Sequence, residues 1–433
     1  MKNQNLLKEI FANEVFPAIG CTEPISCAYA AAAAVEQLKT PVQKLELIVD
    51  AGTFKNGAAV TVPNSGGAKG NIIAAALGAV IAKSSLRLEM LKDVPAGVLK
   101  KANELINNGV VKYTCKEDEK SFHVEVYAEG AGAKVHCIVS EGHTNITCLE
   151  KDGKSIIHTH PHAGTKKKDY HDVLRKMKLE EVLREAVKLD DEQRAYIRRG
   201  IEINMAISEK GVGMKRTGYQ IQQMVKSGLL GDDLFNRVKI RVAAAVDARM
   251  GGLPEPVMTS GGSGNQGALT ILVPYLVGTD RKAGPARIEE SIAISHAVNS
   301  YIKCFLGELS VICGCAIAAS ISSAIALVYQ QAGIDMKKIA FAMDNVASDL
   351  TGMICDGAKP GCSMKIVTGA ETAMRSAFMA LAGYGISVED GVLGKSPEET
   401  IANLSKVSLK GMFGVDPMVV RILQEKSSRS GRA

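Results

Sequence analysis

Four of the ten cysteines come as two close pairs, Cys313-Gly-Cys315 and Cys355-Asp-Gly-Ala-Lys-Pro-Gly-Cys362. Soft thiolates grouped in threes and fours select zinc or an iron–sulfur cluster. The second pair sits on a Gly/Pro loop, Gly352 to Gly361, which lets both sulfurs turn toward one point. No histidine lies near either pair, the nearest in sequence being His296, and this disfavours a mixed Cys/His zinc site. The spacing is that of neither a zinc ribbon nor a ferredoxin. Buried free cysteines in a core of small residues are the competing reading, since cysteine is among the most buried residue types.

A fifth cysteine, Cys21, stands between Gly20 and Thr22-Glu23-Pro24, where an alanine-rich helix begins. Thr22 is a good N-cap, and Glu23 and Pro24 suit a first turn. A thiolate at the positive end of a helix is stabilised and its pKa lowered, so Cys21 is a candidate reactive group. Buried filler is the alternative, and no Cys-His-Asn protease context surrounds it. Cys27 falls inside the helix and reads as core.

Two further stretches could bind. In Met258-Thr-Ser-Gly-Gly-Ser-Gly-Asn-Gln-Gly267 the glycines spell G-x-G-x-x-G. Pro254-Glu-Pro256 stands where a dinucleotide site needs a clear strand, and Pro274 interrupts the helical run after the loop, so that reading is rejected. A Gly/Ser loop opening a helix still offers N–H groups and hydroxyls to an anion such as a substrate carboxylate. Ser260, Gly261, Gly262, Ser263 and Asn265 are the candidates, against the plain reading of an interdomain turn. The histidine turn His158-Thr-His160-Pro-His162 lacks a flanking carboxylate pair and HExxH spacing, and reads as a loop rather than a dedicated metal site.

The elements that must position these groups fall into three runs. Residues 5–38 read as two helices joined by a turn at Gly20. From Lys44–Asp50 the pattern alternates as a strand, followed by helices at Asn71–Lys83 and Ala96–Asn107. Val110–Cys115, Ser121–Ala128, Lys134–Ser140, Asn145–Lys151 and Lys154–His158 are short β-rich runs that read as a meander. From about Tyr170 onward nearly everything reads as helix, including a single one over Asp172–Lys188. The expected fold is α+β. Residues 1–41 are N-terminal helices of a mainly helical domain, 42–165 form a smaller mixed α/β domain inserted after them, and 166–433 complete the helical domain.

With 433 residues, 46% hydrophobic and only 4% aromatic with no Trp, the core must be built from Ala, Val, Ile, Leu and Met. The net charge of +6 is mild, and no basic block with interleaved aromatics marks a nucleic-acid site. Leu309–Ile334 carries no charge, yet is too rich in Gly, Cys and Ser for lipid, and reads as a buried helix of a bundle. No apolar run precedes the N-terminal charges, and ten cysteines without a secretion signal fit a reducing cytoplasm.

Taken together, Gly20-Cys-Thr-Glu-Pro24, Thr259-Ser-Gly-Gly-Ser-Gly-Asn-Gln-Gly267, Gly314-Cys-Ala-Ile-Ala-Ala-Ser320 and Cys355-Asp-Gly-Ala-Lys-Pro-Gly-Cys-Ser-Met-Lys365 resemble the L-cysteine desulfidase family, an otherwise uncharacterised group related to the α chain of iron–sulfur L-serine dehydratase. The resemblance runs over essentially the whole chain. It implies a 4Fe–4S cluster held by Cys315, Cys355 and Cys362 with one iron open, Cys313 standing beside the ligands, and Cys21 as the base. It implies elimination of sulfide from L-cysteine, or of water from L-serine, in amino-acid catabolism. No lysine/phosphate-loop pattern for pyridoxal phosphate is present. A non-catalytic protein in which all four paired cysteines bind metal is a further alternative. The expected partner is a small amino acid, with no nucleic acid or membrane, and the apolar helical surface is compatible with a homodimer.

Overall fold

The computed structural model describes residues 6–119, 121–158, 169–307 and 310–429; the turn beyond His158, with His160 and His162, lies outside them. Among the described residues eight strands precede or punctuate the helices: β1 Pro17–Ile19, β2 Lys44–Asp50, β3 Val111–Lys116, β4 His123–Gly130, β5 Ala133–Ser140, β6 Ile146–Lys151, β7 Lys154–His158 and β8 Pro256–Met258. Six of them form one mixed sheet in the order β3-β2-β4-β5-β6-β7, and β1 pairs with β8. The fold is α+β and mainly helical, as expected.

Alternation sorts the large sheet into two faces. Leu45, Leu47, Val49, Val124, Val126, Val135, Cys137 and Val139 are buried, while Glu46, Glu125, Tyr127 and His136 occupy the other face. The meander is shorter than the pattern suggests. β3 pairs in parallel with β2, whereas β4 to β7 run antiparallel. A parallel partner needs a crossover, and residues 51–107 supply it as helices Ala51–Gly57, Asn71–Ile81 and Ala96–Asn107.

The two N-terminal helices part company. Leu7, Ile10 and Phe11 of Leu6–Glu14 pack into the core of the helical part. Thr22–Leu38, also assigned there, instead lies on the sheet, with Ala28, Ala30–Ala34, Val35 and Leu38 in the sheet's own core. Its alanines explain the placement. A methyl-lined helix lets Asn71–Ile81 come so near that a Cβ on Gly78 would stand 2.0 Å from the Ala28 carbonyl oxygen.

In the helical part, Ala318–Ala332 is buried from Ala318 to Tyr329, the core helix expected in Leu309–Ile334. Among the described residues no helix is long and apolar enough to cross a membrane. Two local expectations change. Asp172–Lys188 is two helices, Asp169–Lys176 and Leu179–Ala186, because Glu181 reaches back to the backbone N–H of Lys178 and caps a new start. Gly264–Asp280 runs through Pro274 without interruption, and a short strand, β8, does precede its loop.

Candidate active site

The short β1–β8 ladder brings distant parts of the chain together. Beyond its register (Pro17 to Met258, Ile19 to Pro256), the Phe16 N–H donates to Thr259 Oγ1 at 2.8 Å. The Thr259 hydroxyl and the Gly262 N–H both donate to the Glu14 carbonyl, each at 2.9 Å. Cys21 is thereby held against the Gly/Ser loop, 240 residues away in sequence. A second tie joins the cysteine pairs. Ile312 and Ile354 form an isolated antiparallel bridge, with Cys313 N–H to Met353 O at 2.8 Å and Cys355 N–H to Val311 O at 2.7 Å.

Between these ties lies a cavity of about 430 Å³. Its wall contains Cys21, Gly261, Gly262, Ser263, Asn265, Cys313, Cys315, Cys355 and Cys362. Of the candidate catalytic, substrate-binding and metal-ligand residues, Ser260 stays off the wall. It is fully buried behind it, its hydroxyl 2.9 Å from His296 Nδ1 and 3.0 Å from Asn299 Nδ2. Burial holds His296 well down, to a pKa of about 3, so this support is a neutral imidazole.

Helix N-termini converge on the cavity. Cys21 precedes Thr22–Leu38, Ser263 precedes Gly264–Asp280, Cys315 lies just before Ala318–Ala332, and Cys362 begins Cys362–Leu381. Each end presents unpaired N–H groups and partial positive charge, which suits thiolates and anionic ligands. Four cationic side chains line the same wall: Lys55, Arg249, Lys303 and Lys365. Lys55 is paired with Asp416 at 2.7 Å, and Lys365 with Asp356. Lys303 donates to the Gly261 carbonyl. Arg249, 3% exposed, donates from Nη1 to Asn265 Oδ1 at 2.9 Å, and its buried Nε has no hydrogen-bond partner among the described residues. A buried donor without a partner is costly, and a ligand carboxylate would satisfy it.

Cys21 departs from the expectation of a lowered pKa. It is itself the N-cap of its helix, makes no side-chain cap, and its Sγ donates to Glu23 Oε2 at 2.9 Å. Burial first, and then the neighbouring Glu23 carboxylate, push the thiol well above its ordinary pKa, although Arg249 works the other way. Desolvation and a like charge outweigh the helix end here. Glu23 accepts from Asn56 Nδ2 at 2.9 Å as well. Burial alone would raise its carboxyl, but the His143 charge and the Cys21 hydrogen bond hold it below the usual range.

The paired cysteines differ among themselves. A hydrogen bond from Cys313 holds Cys315 toward the thiolate, helped by the Ser263 hydroxyl 3.6 Å from its sulfur and by Arg249 and Lys303. The same bond keeps the Cys313 proton in place. Burial pushes Cys355 up, and Cys362 up to about 11. Thiol donors of this kind are those an iron–sulfur cluster takes. Among the described residues, the only three donor atoms within 4.8 Å of one another are those of His136, Cys148 and Glu150 on the large sheet. The sulfurs of Cys315, Cys355 and Cys362 thus do not all lie within 4.8 Å of one another.

Sequence reading missed Glu23 as a partner of Cys21, although it is the next residue but one, because a first-turn glutamate is ordinary. It missed Arg249 too; the signal was there, an arginine just before Gly251-Gly252 at a helix end. Lys55, Asn56, His143 and Lys303 carried no local signal.

A mainly helical α+β chain with a buried, thiol-walled cavity at converging helix ends matches the serine dehydratase alpha chain family over residues 88–421, and the chain belongs to that family. Relatives cover the remainder, Cys21 included. A UPF0597 protein of Geobacter sulfurreducens is 45% identical over 98% of this chain and 99% of its own length. Another from Elusimicrobium minutum is 43% identical over 98% and 99%, and one from Clostridium tetani 35% over 98% and 100%. No solved structure matches the chain.

Proposed function

We propose that the protein is a carbon–sulfur lyase that eliminates sulfide from L-cysteine, giving pyruvate and ammonia. The observation that carries this reading is the single cavity walled by Cys21, Arg249 and the three cysteines Cys315, Cys355 and Cys362. Those three would hold a 4Fe–4S cluster, which supplies an electrophilic iron with an open coordination position. Arg249 Nε takes the substrate carboxylate, with Asn265 fixing the guanidinium from behind. Cys21 removes the α-proton. Its own resting proton, hydrogen-bonded to Glu23 at 2.9 Å, must be lost first, a step that the Arg249 charge favours and the Glu23 carboxylate opposes. The Cα–H electron pair then forms the Cα–Cβ double bond, and the Cβ–S bond breaks with its electrons leaving on sulfide. The aminoacrylate released tautomerises to an imine, and water hydrolyses it to pyruvate and ammonia. Neither cluster chemistry nor proton abstraction requires pyridoxal phosphate.

Cysteine is preferred here on the four motifs resembling the desulfidase family. The match to the serine dehydratase alpha chain family supports a second reading, the same proton abstraction with hydroxide leaving from L-serine. Anaerobic reconstitution with iron and sulfide, then measurement of sulfide and pyruvate from L-cysteine and of pyruvate from L-serine, decides between them. Pyruvate from serine with none from cysteine overturns the first reading. A chain that takes up no iron and forms neither product overturns both.

A further inference from the structure

The exposed face of the large sheet carries a second constellation, separate from the cavity. His136 on β5 faces Glu150 and Cys148 on β6, with Nδ1 4.0 Å from Cys148 Sγ and 4.0 Å from a Glu150 carboxylate oxygen. The first is a long sulfur hydrogen-bond contact and the second a long histidine–carboxylate contact. They are close to the spacing of ligands around one ion, about 3.3–3.8 Å for a tetrahedral shell with N and S bonds near 2.0 and 2.3 Å.

The imidazole is already oriented for that role. Its Nε2 lies 2.8 Å from Glu125 Oε1 on β4, and in the tautomer with its proton on that nitrogen Nδ1 turns a lone pair toward Cys148 and Glu150. Glu125 is held as a carboxylate by His123 at 3.0 Å and by the Tyr127 hydroxyl at 2.8 Å. The Tyr127 ring stacks on His136 with centroids 4.3 Å apart and planes within 1°. A carboxylate–histidine pair behind a ligating nitrogen is the usual outer support of a zinc site. Three neighbouring strands thus fix one nitrogen, one sulfur and one oxygen donor around a point open to solvent on one side.

We propose that His136, Cys148 and Glu150 bind a soft divalent cation, with the chemistry of zinc, whose remaining position is taken by water. The donor set excludes magnesium and calcium, which take oxygen ligands. Binding converts the Cys148 thiol to thiolate and releases its proton to solvent, with no change of oxidation state. The site also has a place in the fold. β5 and β6 shift register at Ile138/Val139, and the loop joining them lines the cavity with Glu141, Gly142, His143 and Thr144. An ion at the base of this hairpin pins the irregular ladder and so steadies the loop that faces the substrate.

The test uses the full chain carrying Cys21→Ser, Cys313→Ser, Cys315→Ser, Cys355→Ser and Cys362→Ser, which removes the thiols of the cavity wall. Anaerobic titration with Co²⁺ should give one equivalent bound, with the intense near-ultraviolet band of a thiolate–cobalt bond. Adding Cys148→Ser should abolish the band, and adding Glu150→Gln should weaken binding. Glu125→Gln should weaken it by about 10–100-fold while leaving the band shape intact. Zn²⁺ should raise Tm in the background chain but not with Cys148→Ser, circular dichroism confirming that both fold. Absence of cobalt binding in the folded background chain, or a thiolate band that survives Cys148→Ser, overturns the site.

Discussion

Cys21 is held as a thiol that leans on a carboxylate, so its reactivity depends on where that proton goes. Cys21→Ser is expected to lower kcat for pyruvate formation by about 10²–10⁴-fold, the usual worth of a positioned base, with iron content and absorption unchanged. Arg249→Gln removes the one cavity guanidinium whose Nε has no partner among the described residues. A charged hydrogen bond of about 1.5–3 kcal/mol corresponds to a fall in kcat/KM of about 10–100-fold, expected to appear in KM for the amino acid. In the proposed three-ligand arrangement Cys313, which is hydrogen-bonded to Cys315, is not a ligand, so Cys313→Ser should keep the cluster that Cys315→Ser loses. Equal iron loss in the two variants, read by metal analysis, would instead support four cysteine ligands.

Among the elements, close approach does the positioning. A Cβ on Gly267 would stand 1.9 Å from the Met258 carbonyl oxygen, where helix Gly264–Asp280 crosses β8. Gly78 is equally crowded against Ala28, but on the sheet side. Each alanine substitution should cost about 1–3 kcal/mol through overpacking. The two differ in activity. Gly267→Ala displaces the loop that touches Cys315 and should also lower kcat/KM, whereas Gly78→Ala should lower only Tm. Thermal melts and kinetics on both variants check this, and equal loss of activity would detach the β1–β8 ladder from the site.

Over the whole molecule, stability depends on buried titratable groups remote from the cavity. Burial raises Asp344 to a pKa of about 6, despite the hydrogen bond it accepts from Thr400 at 3.1 Å. A raised folded pKa favours folding below the ordinary carboxylate value near about 4, and that benefit is lost as pH rises through about 6. Above neutrality the ionised Asp344 therefore costs stability. Asp344→Asn should raise stability at pH 8 by on the order of 1 kcal/mol, and the gain should vanish near pH 4, as read from Tm against pH. The C-terminal helix Val415–Arg429 is part of the same whole, since Asp416 neutralises the buried Lys55 on the cavity wall.

The cysteines that line the cavity, the Gly/Ser loop and most helices and strands were legible in order, because thiol spacing, turn residues and periodicity are local properties. Lys44–Asp50 and Lys154–His158 fall where alternation places them, and the small-residue run at 318–329 is buried as composition demands. Pairing across the chain was not legible. A three-residue strand such as β1 has too little pattern to be seen, yet it seats Cys21 beside a loop 240 positions on. The parallel edge strand β3 and the docking of Thr22–Leu38 on the sheet depend likewise on which apolar faces meet. The state of Cys21 obeys the same logic. A helix start alone argues for a thiolate, but burial and the partner at Glu23 are properties of the folded neighbourhood, and they reverse the sign.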